Sequence, residues 1–164
     1  SLISVILPIL IYEKFKLSES YIGLIISTLG IATIITTWPS GKLSDKIGRK
    51  VNLLTCLLFS SIFVTLIPLV NDFFYLQLLI FLLGLILGFS GPFTAYIADL
   101  STKETLTAAL SVYRTFVDLG FFIGPFVGGI ILEFFEVTFV SFLLISLFTF
   151  ISFILALIIK LEPQ

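Results

Sequence analysis

Histidine and methionine are absent from the 164 residues, and cysteine occurs once, at Cys56. Without histidine the chain lacks the commonest metal ligand and the side chain that most often moves protons near neutral pH. A single cysteine excludes an internal disulfide and a cysteine metal cluster; set inside an apolar run, Cys56 reads as a small buried hydrophobe. No residue pattern requires a metal or a cofactor. Charge is scarce too. Asp, Glu, Lys and Arg make up 12% of the chain, against about 25% in an ordinary soluble domain. The net charge of −1 leaves no basic field to hold nucleic acid. With no Met, the sequence is expected to be a stretch of a longer protein rather than to begin at a start codon.

What is present is apolar. Hydrophobic residues make up 59% of the chain and the mean hydropathy is +1.23, so its surface must face lipid. Six apolar runs stand out, at about 2–12, 21–38, 51–69, 73–98, 106–132 and 137–159. The first is about 15 Å of helix, too short for about 30 Å of hydrocarbon, and reads as the outer end of a truncated span. The others predict an all-α, polytopic membrane helix bundle with the bilayer as its main partner. Short connections predict an up-down arrangement in which sequence neighbours are mostly spatial neighbours. Small residues form stripes at Gly23, Ser27 and Gly30, and again at Gly84, Gly88 and Gly91, where helices are expected to pack closely. Gly91-Pro92 should bend the fourth span.

Between the second and third runs lies Gly41-Lys42-Leu43-Ser44-Asp45-Lys46-Ile47-Gly48-Arg49-Lys50, a basic island in the oily chain. Counting basic residues by side puts Lys42, Lys46, Arg49, Lys50, Lys103 and Lys160 on one face and only Lys14 and Lys16 on the other. The 41–50 loop is therefore expected to be cytoplasmic. Gly41 and Gly48 allow tight turns, and Asp45 sits among cations. Asp99 closes the fourth run on the same side.

This order of residue types resembles motif A of the major facilitator superfamily, and its place between the second and third spans agrees. The resemblance implies one six-helix half of a twelve-helix transporter, here residues 1–164, whose other half lies outside the sequence. It implies that Gly41, Leu43, Asp45, Gly48, Arg49, Lys50 and Asp99 form a conformational latch. In that pattern Arg49 pairs with Asp99. Asp45 reaches a helix of the other half and should stand under-partnered in this chain. The fifth span carries Gly120, Gly124, Pro125, Gly128 and Gly129, which is similar to motif C of drug/proton antiporters; the same glycines also suit a plain packing face. The arginine of motif B has no counterpart, since Gly84 stands where it would fall. That departure favours a second half, complete motifs A and C favour a first, and both stay open.

Arg114 and Asp118 are the clear charges inside a span, four residues apart on one face. They lie about 12 and 18 Å in from residue 106. An ionised group at that depth costs about 2.5–3.5 kcal/mol on insertion scales, so it must face protein or water. The pair is a candidate path for protons or substrate; alternatively it is structural, bridging the second and fifth spans or fixing a gate. A membrane-embedded enzyme would need clustered carboxylates, histidine or an activated serine, and none is present. The expected function is secondary transport of a small solute by alternating access, with proton-coupled drug efflux as the form the motifs suggest, in a prokaryotic plasma membrane. A non-transporting scaffold or sensor is the alternative, and it would need no latch.

Overall fold

A computed structural model describes residues 2–135 and 138–158. Its helices are α1 (Leu2–Phe15), α2 (Glu19–Ile47), α3 (Arg49–Leu66), α4 (Phe73–Leu87), α5 (Phe93–Asp99), α6 (Leu106–Phe135) and α7 (Thr138–Ile158). No strand occurs among the described residues. Five segments, Glu19–Ile47, Arg49–Leu69, Phe73–Asp99, Leu106–Ile131 and Phe139–Ile158, are long and apolar enough to cross a bilayer. Within the described residues the predicted runs are helical apart from a break in the fourth, and Lys160 lies outside the described residues.

Two boundaries differ from expectation. The second span does not end at Trp38: α2 runs through Pro39 to Ile47. Pro39 removes one backbone donor, and the helix goes on beyond it with Ser40 and Ser44 buried and Ser40 Oγ donating to Thr37 O at 2.7 Å. Most of the basic island is therefore helix, and the turn is made by Gly48 alone, at φ +95°. That conformation suits glycine. The Gly48 N–H donates to Ser44 O at 3.0 Å and its carbonyl accepts from Asn52 N at 3.2 Å.

The fourth span is broken as Gly91-Pro92 predicts. α4 ends at Leu87, a 3-10 turn covers Gly88–Ser90, and α5 resumes at Phe93. Pro92 lacks the N–H that would reach Gly88 O in an unbroken helix. Ser40 Oγ donates to that carbonyl instead, at 3.0 Å. Thr33 Oγ1 donates to Gly84 O at 3.2 Å and Thr36 Oγ1 to Leu85 O at 2.8 Å. Asn52 Nδ2 donates to Phe89 O at 2.7 Å. Hydroxyls and one amide thus satisfy backbone acceptors at the break, as a helix interrupted in lipid requires.

The up-down expectation is corrected in one respect: the most extensive contacts are not between sequence neighbours. α2 packs along α4, α3 along α7, and α1 meets α6 and α7, while among sequence neighbours α3 also packs along α4, more extensively than α1 on α6. Counting α4–α5 as one span, the second pairs with the fourth, the third with the sixth and the first with the fifth. Exchanging spans 1, 2 and 3 with 4, 5 and 6 swaps the 2–4 and 1–5 pairs and maps the 3–6 pair onto itself. An odd number of spans separates the repeats, so they run in opposite senses, the inverted-repeat pattern of membrane transporters.

The apolar core gathers toward the end where α1 and α4 meet, around Ile6, Leu10, Ile25, Ile67, Leu76, Ile80 and Phe142. Lys14 Nζ donates to Pro68 O there, at 2.6 Å. The opposite end, where Gly48 lies, is joined by polar contacts instead.

A candidate latch at the end of the second and fourth spans

Because α2 reaches Ile47 and α3 starts at Arg49, Asp45 and Arg49 sit four residues apart across a single-residue turn. Arg49 Nη2 lies 3.3 Å from Asp45 Oδ1. Arg49 Nε pairs with Asp99 Oδ2 at the end of α5. The arginine side chain is three-quarters buried, while Asp45 is 63% exposed and Asp99 41%. The expectation that Asp45 stands under-partnered is corrected: the continuous helix brings its carboxylate to Arg49, and its exposed side remains open. One guanidinium fork serves two carboxylates, a geometry that lysine's single ammonium would not reproduce.

The other motif residues surround this cluster without joining it. Lys50 Nζ donates to Leu157 O of α7, at 3.3 Å, so the motif also touches the sixth span. Gly41 lines an open groove of about 640 Å³ with Ile34, Thr37, Trp38, Asp45, Arg49, Gly91, Pro92 and Ala95. Leu43 points elsewhere, into a second groove. The Asp45–Arg49–Asp99 cluster therefore lies at one rim of a largely apolar trough between α2 and α5.

The glycine stripes divide. At Gly88 an added Cβ would fall 1.9 Å from Thr36 Oγ1 and 2.7 Å from Thr33 O; at Gly84 it would fall 2.6 Å from Leu29 O. This stripe is what lets α2 lie on the fourth span. Gly23 and Gly30 have nothing within 4 Å of such a Cβ, so the expected close packing at the first stripe is not made among the described residues. On α6, Gly124 and Gly128 are buried and Pro125 is half-buried, whereas Gly120 and Gly129 are exposed. Gly120, Gly124 and Gly128 share one stripe that is buried at its second and third positions, while Gly129 lies on another face.

Arg114 Nε lies 3.2 Å from Asp118 Oδ2 along α6, with the side chains 75% and 57% exposed. The pair does not bridge the second and fifth spans: both charges stay on one helix and face out of this bundle. Sequence reasoning missed Thr33, Thr36, Ser40 and Asn52, the donors at the break. Hydroxyls at 33, 36 and 40, at helical spacing opposite Gly84, Gly88 and Gly91, were the signal available.

Five helices long and apolar enough to cross a bilayer, a broken fourth span and an arginine clamped between two carboxylates at the end of the bundle describe a helical integral membrane protein. A profile of the Major Facilitator Superfamily matches residues 1–164, and the chain belongs to that family. It is 36% identical over 137 residues to the multi-drug resistance efflux pump PmrA of Streptococcus pneumoniae, covering 84% of this chain and 34% of the pump. It is 28% identical over 165 residues to multidrug resistance protein 1 of Bacillus subtilis, covering 99% of this chain and 42% of that protein. The quinolone resistance protein NorA of Staphylococcus aureus is 27% identical, covering 80% of this chain and 34% of NorA. The chain thus spans between a third and less than half of the length of these relatives.

Proposed function

We propose that residues 1–164 are one six-helix half of a secondary transporter that exports small amphipathic compounds from a bacterial cell by alternating access. The supporting observation is Arg49 held by Asp45 on α2 and by Asp99 on the fourth span, at the rim of an open apolar trough. The helices that cover the trough belong to the other half, which closes against this one in the outward-facing state and separates from it in the inward-facing state. The exposed side of Asp45 meets a helix of that half. The trough end lies on the cytoplasmic side, as the excess of basic residues there favours, in the plasma membrane.

The relatives' names favour drug efflux, and the driving force assigned here is proton antiport. Asp118, within a span and beside Arg114, is the ionisable group of this half that takes part. Substrate or protons move the equilibrium only through unequal affinity for the two states. The test is dye transport by the full-length protein in proteoliposomes under an imposed pH gradient. Gradient-driven accumulation that collapses with an ionophore is expected; accumulation indifferent to the gradient would rule out antiport, and none at all would rule out efflux.

A further inference from the structure

The second groove, on the opposite flank of α2, has no part in the latch. It holds about 350 Å³ between Thr36, Pro39, Ser40, Leu43 and Phe89, with Trp38, Lys42 and Lys46 at its mouth. That is at the lower end of the volumes of small-molecule sites, about 300–1,000 Å³. Leu43 lies about 200° around the helix from Asp45, so this groove faces away from the trough. Lys42 Nζ stands over the Trp38 ring, 4.3 Å from its centroid. Among the described residues neither Lys42 nor Lys46 forms an ion pair with a carboxylate, and the neighbouring Asp45 is turned to Arg49. The two ammonium groups are one turn apart at the end of a span. Trp38 stands between them and the apolar stretch of α2 in sequence, the position that interfacial tryptophans favour at the end of a span.

We infer that this groove is a binding site for an anionic phospholipid. Its phosphodiester is held between Lys42 and Lys46, and an acyl chain lies along Pro39, Leu43 and Phe89. The charge complementarity selects an anionic headgroup: a zwitterionic lipid would set its own ammonium beside two lysines, with no carboxylate in the groove to receive it. Basic pockets between spans recognise phospholipid headgroups on these terms. The site also abuts the break in the fourth span, because Thr36 and Ser40, which line it, donate to Leu85 O and Gly88 O.

Trp38 is the lone tryptophan of these 164 residues, which supplies the probe. Full-length protein with any tryptophan outside them replaced by phenylalanine is reconstituted in phosphatidylcholine bilayers containing brominated phosphatidylglycerol or, separately, brominated phosphatidylcholine, and quenching of Trp38 gives their relative affinity. Each lysine near an anionic headgroup is expected to contribute about a fivefold preference. Phosphatidylglycerol should therefore be preferred at least fivefold by the wild-type protein, less by Lys46→Gln, and not at all by Lys42→Gln/Lys46→Gln. Lys46→Gln leaves the Lys42–Trp38 contact in place and decides the matter if the double variant does not insert. Equal quenching by the two lipids in the wild type, or an undiminished preference in Lys46→Gln, would overturn the assignment. Quenching by neither lipid would mean that protein covers the groove, and would overturn it too.

Discussion

Arg49 concentrates the consequences at the level of single residues. Its pair with Asp99 joins elements that the Gly48 turn alone would leave loosely tied, and it is partly shielded from water. A pair of this kind contributes about 1 kcal/mol, or about fivefold in a population. Asp99→Asn is expected to shift the balance of states by that factor with little loss of folding stability. Exchanging the charges as Arg49→Asp with Asp99→Arg should rescue only in part, because the new Asp at 49 faces Asp45 one turn away, a like-charge contact. Asp118→Asn is expected to cut gradient-driven transport at least tenfold while downhill exchange persists; unchanged transport and pH profile would make the pair with Arg114 structural. Gly48→Ala puts a side chain at φ +95°, where an L-residue costs roughly 1–2 kcal/mol, readable as a lower melting temperature in detergent.

Among the elements, the contact of α2 with the fourth span is the most demanding. Gly88→Ala would drive a methyl into Thr36 Oγ1 and the Thr33 carbonyl. Overpacking of this kind costs about 1–3 kcal/mol, and here it also disturbs the hydroxyl donors at the break. Gly30→Ala meets open space within this chain and should leave the half's own stability unchanged, so comparing the two variants by thermal unfolding separates the stripe that packs inside this bundle from the one that does not. The sequence showed both stripes and the Gly91-Pro92 bend, because glycine and proline act locally. It did not show which stripe was buried, since that depends on which helix arrives from elsewhere in the chain. Nor did it show that α2 continues to Ile47. Trp38-Pro39 looks like a span's end by composition, but a helix can leave the hydrocarbon without ending, and Ser40 and Ser44 find burial beyond it.

For the whole molecule, composition made the membrane and the all-α class plain, and the order of residues 41–50 pointed to the family. The pairing of spans was not legible. Short loops only force alternation of direction, and many pairings satisfy that. The observed set, closed under exchange of the first three spans with the last three, arises from helix faces that no local pattern reports. Large exposed side chains such as Ile34 and Trp38 on α2 and Phe116, Phe122 and Phe126 on α6 then have two destinations, lipid and the other half. In the proposed two-half transporter, the Arg49 cluster lies at the seam where the halves meet.

The most direct test of that latch uses Ala95, which lines the trough beside Arg49. In full-length protein with Cys56→Ser and any other native cysteine replaced, Ala95→Cys is labelled with a membrane-impermeant thiol reagent supplied from the side of residues 41–50. If the Arg49–Asp99 pair holds the trough closed against the other half, adding Asp99→Asn should raise the labelling rate about fivefold, the factor that corresponds to about 1 kcal/mol. A labelling rate that Asp99→Asn leaves unchanged would show that the pair ties two helices together without governing access, and would contradict its role as a latch.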